Sequence, residues 1–169
     1  MPRPAEVRAG PPPTARERVA ACLLAADRCW LGTHVDPDGD AIGSILGLGR
    51  VLESLGKSVV LACQDPPPGE VAFLPGVSRI AAVAPAPGAL VVALDVADAG
   101  RLGALLPPGR SPDVVVDHHV SNPGFGAVNL VEPDASSTAE VVLAVTETTG
   151  VAPDATAARH LLAGPVSDT

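Results

Sequence analysis

Three short stretches of this chain concentrate side chains that can bind metal or move protons. The first, His34-Val-Asp36-Pro-Asp38-Gly-Asp40-Ala-Ile-Gly43-Ser44, places one imidazole and three carboxylates within seven residues. Carboxylates this close repel one another unless a cation offsets them, and His together with Asp suits Mn²⁺, Zn²⁺ or Fe²⁺ better than Ca²⁺. Asp and Gly are also good turn and cap residues, so an isolated Asp-x-Asp-x-Asp is equally well explained as a solvated acidic turn. A calcium loop starting at Asp36 would need Gly sixth and Glu twelfth, where Ala41 and Gly47 stand. Gly47 and Gly49 lack the third glycine of a dinucleotide fingerprint, and there is no P-loop.

The second stretch, Leu94-Asp95-Val-Ala-Asp98, sets carboxylates just past an apolar run, where a lone Asp is often only the cap of the next helix. The third, Asp117-His118-His119, offers two adjacent rings that can serve different partners. One ring can bind metal while its neighbour faces substrate, and Asp117 can accept an imidazole N–H and so fix a tautomer.

The surrounding pattern says what must position these groups. Thr14 to Arg28 reads as an amphipathic helix with Thr14 and Glu17 as a capping box. A short strand, Cys29 to Val35, leads through the acidic turn into a helix from Asp40 that ends at Gly56. Ser58 to Cys63, Ala89 to Val96 and Asp113 to His119 read as further strands, the last two apolar enough to be buried on both faces. A short helical piece lies near Arg101 to Leu106, and the stretch after His119 is a loop rich in Gly, Pro and Asn. Ser137 and Glu140 open another helix as a capping box, with backbone N–H groups near Ser136 available to an anion, and a final helix covers about 154–163. Alternating strands and helices predict an α/β fold: a doubly wound, mostly parallel sheet of about five strands with helices on both faces. Ligands bind such sheets beyond the carboxyl ends of the strands, where His34 to Asp40, Asp95 to Asp98 and Asp117 to His119 all fall.

Composition narrows the partners. Eleven Lys and Arg against 19 Asp and Glu give a net charge of −8, which argues against a broad basic surface for long duplex nucleic acid. No charge-free apolar run is long enough to span a membrane, and the start of the chain lacks the apolar core of a secretory signal, so a cytoplasmic location is expected. Cys22, Cys29 and Cys63 form no CxxC pair and read as small buried hydrophobes. Residues 1–13 carry five prolines and are expected to be a disordered tail.

Taken in order, His34-x-x-Pro-Asp38-x-Asp40-Ala-x-Gly43-Ser44, Leu94-Asp95-x-x-Asp98, Val116-Asp117-His118-His119, Ala135-Ser136-Ser137-Thr138-x-Glu140 and Gly164-x-x-Ser167-Asp168-Thr169 resemble the DHH phosphoesterase family. The chain looks most like its bacterial oligoribonuclease/pAp phosphatase group, which is related to RecJ-type exonucleases. The resemblance implies two Mn²⁺ ions, with Mg²⁺ or Co²⁺ as substitutes. By that resemblance His34, Asp38 and Asp95 would hold one ion, and Asp40, Asp95, His118 and Asp168 the other, so that Asp95 bridges. His119 matches the phosphate-contacting histidine and Asp117 the carboxylate that supports the pair. Asp36 falls where relatives often have Asn and stays outside the ligand set; Ser167 and Pro165 replace the more usual Thr and Ile or Val.

The implied substrates are short oligoribonucleotides, pAp or linear dinucleotides. The alternatives are an inorganic pyrophosphatase-like hydrolase and a metal-binding domain without turnover. A homodimer is compatible with the reading. The family's second, nucleotide-holding domain is not supplied by these residues, so 14–169 is expected to be the catalytic half only, with low activity by itself.

Overall fold

The computed structural model describes residues 12–167. Five strands, β1 (Arg28–Gly32), β2 (Ser58–Ala62), β3 (Leu90–Leu94), β4 (Val114–Asp117) and β5 (Val128–Val131), form one sheet in the order β2-β1-β3-β4-β5, with every pair parallel. The α-helices are α1 (Ala15–Ala25), α2 (Gly39–Ser54), α3 (Thr138–Thr148) and α4 (Ala155–Ser167). The chain winds outward from β1 in both directions. The strand order therefore reverses between β1 and β3, where an open parallel sheet leaves a crevice.

Local chemistry explains most boundaries. Thr14 caps α1 with the full reciprocal box to Glu17. The Lys57 ammonium donates to the Leu24 and Ala26 carbonyls at the other end of that helix, which has no basic residue of its own there. Asp38 caps α2 through the Ala41 N–H, and Gly56, at φ 78°, ends it as its position predicts. The fifth strand, β5, lies inside the stretch that the sequence reads as a loop. Four residues among Gly, Pro and Asn give too short a period-2 signal to stand out, and the strand exists because β4 offers it an edge. The segment near Glu70 forms only 3-10 turns. α4 runs on through Pro165, past the expected end near 163. The expected tail, 1–13, lies almost wholly outside the described residues.

Both faces of the sheet are covered, but unequally. Leu31, Val92, Leu94, Val114 and Val116 face a core built from Leu23 of α1, Ile42, Ile45 and Leu48 of α2, Val141 and Val145 of α3 and Leu161 of α4. On the opposite face, Trp30, Val91, Ala93 and Val115 pack under Leu102, Leu105 and connecting loops. Right-handed crossovers account for this division, since the connections from β3 to β4 and from β4 to β5 must pass on the side opposite α2, and both are too short for a long helix. Cys29 and Cys63 are buried as expected, while Cys22 is half-buried.

α2 and α4 approach at glycines. A Cβ at Gly43 would lie 2.5 Å from the His160 carbonyl oxygen, and one at Gly47 2.5 Å from Leu161 Cδ2. Backbone cannot move aside as a leucine side chain can. Gly43→Ala is therefore expected to destabilise the domain by about 2 kcal/mol and Gly47→Ala by distinctly less, read as thermal midpoints by circular dichroism. Equal midpoints for the two variants would contradict this packing.

Candidate metal centre

His34, Asp95 and Asp117 reach one rim because β1, β3 and β4 end in register: Gly32 pairs with Ala93 and Ala93 with Val115. The ladder continues one step further, with the Asp95 N–H donating to the Val116 carbonyl. Asp95 then turns into the left-handed region at φ 58°, a conformation Asp tolerates better than most residues. At the start of α2, Asp38 is the cap and Asp40 sits in the first turn, so the acidic loop delivers both to the same crevice.

Two donor groups meet on Asp95. On one side, His34 Nε2 lies 3.5 Å from Asp95 Oδ2 and 3.9 Å from Asp38 Oδ2. On the other, His118 Nε2 lies 3.9 Å from Asp95 Oδ1 and 3.8 Å from Asp40 Oδ2, and His119 Nδ1 is 3.7 Å from Asp95 Oδ1. Donors each about 2.1 Å from one cation stand roughly 3.0–3.4 Å apart, so these separations are close to the edges of a coordination polyhedron and beyond ordinary hydrogen bonds. Each of the triads His34, Asp38, Asp95 and Asp95, His118, His119 offers ligand atoms that all lie within 4.8 Å of one another.

The donor set fits divalent cations in its surroundings as well. Asp40 is fully buried, yet both its oxygens are satisfied: Oδ2 accepts from the Thr138 N–H at 2.7 Å and Oδ1 from the Ala139 N–H at 2.9 Å. The anion received by the first turn of α3 is thus Asp40, an internal carboxylate, instead of an external one. Asp95 Oδ1 accepts from the Thr138 hydroxyl at 2.9 Å. His34 Nδ1 lies 2.8 Å from the Val35 carbonyl and His118 Nδ1 3.4 Å from the Ala135 carbonyl. With those nitrogens protonated, both rings turn an Nε2 lone pair toward the carboxylates, as metal-binding histidines do.

Asp117 plays a different part. Its Oδ1 accepts from the His118 backbone N–H at 2.9 Å and from His119 Nδ1 at 2.7 Å, and its Oδ2 from Asn122 at 2.7 Å. Asn122 also donates to the Val96 carbonyl, tying this loop to the one after Asp95. Asp98 only caps the 3-10 turn at Ala99–Leu102, and Asp36 is exposed, its N–H donating to Asp65. Asp168 lies outside the described residues.

Thr138, Asn122 and Gly164 are structural members of the site whose roles residue type did not disclose, although Thr138 and Gly164 stand in motifs that carry the family resemblance. A Cβ on Gly164 would collide with Asp40 Oδ1 and stand 2.6 Å from the Ala139 Cβ, so α4 can pass Asp40 only as glycine. The signal available was position: Thr138 follows a helix cap, and Asn122 lies five residues past Asp117 in a tight loop. Glu140 departs from the expected box, since its carboxylate takes the Ser136 N–H and hydroxyl while the Ser137 hydroxyl still caps the helix.

A parallel α/β sheet with a His and Asp cluster beyond its strand ends, centred on one shared carboxylate, defines the class: an α/β domain whose rim gathers residues that could hold a metal ion. The description "DHH family, N-terminal domain" matches residues 29–164, and the chain belongs to that family. It is 39% identical over 146 residues to the bifunctional oligoribonuclease and PAP phosphatase NrnA of Thermus thermophilus, covering 83% of this chain and 43% of that protein. It is 31% identical over 117 residues to the protein of the same name from Bacillus subtilis, covering 69% and 37%. A solved exopolyphosphatase-related protein from Bacteroides fragilis superposes with a TM-score of 0.80 at 26% identity, covering 92% of this chain and 50% of that one. The chain thus spans half or less of the length of each of these proteins.

Electrostatics set the pH response. Burial opposes charge on His34, but the Asp95 carboxylate, the Val35 carbonyl and the Asp38 charge outweigh it and raise its pKa. Burial likewise opposes charge on His119, and Asp117 and Asp95 outweigh it there. Asp95 is lowered: burial works against its ionised form, yet His34, the Thr138 hydroxyl and His119 prevail. In the metal-free chain the two raised histidines contribute stability that is complete below the ordinary imidazole pKa of about 6.5 and lost as pH rises through their higher folded values. Asp95 contributes stability that is present above about 4 and lost on acidification below it. Buried His160, lowered chiefly by desolvation, loses stability as pH falls below about 6.5, but it does so with or without metal. A cation needs neutral imidazoles, so the increase in Tm caused by Mn²⁺ is expected to grow steadily from pH 5.5 to pH 8. A shift independent of pH would mean that His34 does not take part.

Proposed function

We propose that residues 14–169 form the metal-binding catalytic domain of a phosphoesterase that hydrolyses pAp, short oligoribonucleotides or linear dinucleotides with two divalent cations, Mn²⁺ by preference and Mg²⁺ or Co²⁺ as substitutes. The observation that carries this reading is Asp95, whose two oxygens face two different sets of donors. The names of the Thermus and Bacillus relatives support the substrate class. Among the described residues no helix is long and apolar enough to cross a membrane, and we place the activity in the cytoplasm. The likeness to an exopolyphosphatase-related protein keeps pyrophosphate and polyphosphate as a second substrate class.

Divalent cations held by these residues would lower the pKa of a bound water and offset charge on an in-line phosphoryl transition state. The chain's own residues do the rest. In this reading Asp38 and His34 would hold one cation and Asp40, His118 and Asp168 the other, with Asp95 shared between them. The α3 N–H groups hold the Asp40 carboxylate still, and Thr138 does the same for Asp95. Asn122 orients Asp117, Asp117 holds His119 by Nδ1, and Nε2 of that ring is left to meet a phosphoryl oxygen.

Calorimetric titration should show two Mn²⁺ per chain. Asp95→Asn should abolish tight binding of both, whereas Asp98→Asn, which removes a charge outside both donor sets and keeps the cap acceptor for Gly100, should leave both within about threefold of wild type, a loss of under 1 kcal/mol. Equal losses in the two variants would show the shared carboxylate to be misassigned. Mn²⁺-dependent release of phosphate from pAp, or cleavage of a dinucleotide, is the activity expected, weaker than in a chain extended to the length of the relatives because remote binding groups help drive the chemistry. Hydrolysis of pyrophosphate alone would favour the second substrate class, and binding of Mn²⁺ without turnover of any of these substrates by either chain would reject the phosphoesterase reading.

A further inference from the structure

We propose that Arg101 is a phosphate-contacting residue of this site, gripping the substrate phosphoryl group from the His34 side; the inference rests on the phosphoesterase reading above. Arg101 belongs to the 3-10 turn Ala99–Leu102, six residues beyond Asp95. Its backbone carbonyl accepts the Val35 N–H at 2.8 Å, which pins the turn to the loop that carries His34. Its side chain folds back over the same loop, with Nη2 3.1 Å from His34 Nδ1 and 3.5 Å from the Val35 carbonyl oxygen.

The hydrogen bonding there does not satisfy the guanidinium. When His34 turns its Nε2 lone pair toward Asp38 and Asp95, its Nδ1 carries the proton and gives it to Val35, so Arg101 faces a donor and cannot bond to it. What remains is one long contact to a carbonyl that is already taken. Arg16, Arg50, Arg79 and Arg110 each pair with a carboxylate, whereas Arg101, like Arg18, Arg28 and Arg159, has no carboxylate partner among the described residues; of these four it is the one beside His34, with Asp38 and Asp95 across the imidazole ring. The residue is exposed, so most of its five N–H groups are open at the mouth of the crevice.

An anion seated over Asp95 would have His34 on one side and His118 on the other. Arg101 stands beside His34 as His119 stands beside His118, whose rings are 4.7 Å apart. In this proposal the Arg101 side chain swings forward past His34 to meet an anion seated there. A planar fork held in place by its own backbone suits the bidentate recognition of phosphate oxygens, and in a chain of net charge −8 it is the cation placed to offset the charge of an incoming phosphate.

The experiment compares the wild-type chain with Arg101→Gln and Arg101→Lys in two calorimetric titrations, first with Mn²⁺ and then with inorganic phosphate on the Mn²⁺-loaded chain. Arg101→Gln is expected to bind Mn²⁺ within about twofold of wild type and to bind phosphate about tenfold more weakly, with Arg101→Lys between them because a point charge replaces a fork. The KM for pAp should rise in the same order. Unchanged phosphate affinity in Arg101→Gln would overturn the assignment while normal Mn²⁺ uptake left the metal reading standing. A parallel loss of Mn²⁺ affinity would also overturn it, since Arg101 would then act only by holding His34. Failure of the wild-type chain to take up Mn²⁺ would remove the functional reading and this inference with it.

Discussion

Asp40 is a carboxylate with no access to water, and the architecture around the site follows from giving its oxygens donors in place of that water. Burying an ion costs several kcal/mol unless donors replace its hydration. Here two consecutive backbone N–H groups at the start of α3 do so, at the end of that helix where the peptide dipoles favour negative charge. The same bonds fix the start of α2 against the start of α3. They also require α4 to present glycine at position 164, because any side chain there would occupy the space of the carboxylate. Three helices thus converge on one oxygen pair, and Thr138, held in place by this junction, reaches across to Asp95.

The division between what binds and what supports is clear in the atoms used. His34 and His118 spend Nδ1 on backbone carbonyls and turn Nε2 inward. His119 spends Nδ1 on Asp117, and that carboxylate is in turn shared with Asn122 and a backbone N–H. Adjacent histidines at one strand end therefore have different roles because the chain gives each a different partner. The strained backbone at Asp95 belongs to the same design: a left-handed turn immediately after β3 brings its carboxylate between the two rings instead of leaving it along the strand direction.

Much of this was legible in the residues alone. Long apolar runs marked β3 and β4, and caps at Thr14 and Ser137 marked helix starts, because these signals are local. The clusters at His34 to Asp40, Asp95 and Asp117 to His119 stood out because such charge density is costly without a cation and all three fall at the carboxyl ends of strands. What stayed hidden depended on tertiary contact. β5 is made a strand by its neighbour, Asn122 matters only because Asp117 and Val96 lie beside it, and Gly164 is essential only because Asp40 is there. The role of the α3 N-terminus was visible as a capacity for an anion, but not which anion would fill it.

Trp30 is the one tryptophan of the chain, and its place under the loop-covered face has an optical meaning. Its ring is fully buried over Gly32, where a Cβ would overlap it, and its Nε1–H donates to the Val83 carbonyl at 2.8 Å. The four helices stand on the other side of the sheet. Emission from this single indole therefore registers the integrity of β1 and its covering loops separately from helical ellipticity, which comes from the opposite layer. The molecule carries two spectroscopic channels, one for each face, and loosening of the layer that supports the end of β1 becomes visible apart from loss of the helices that hold Asp40.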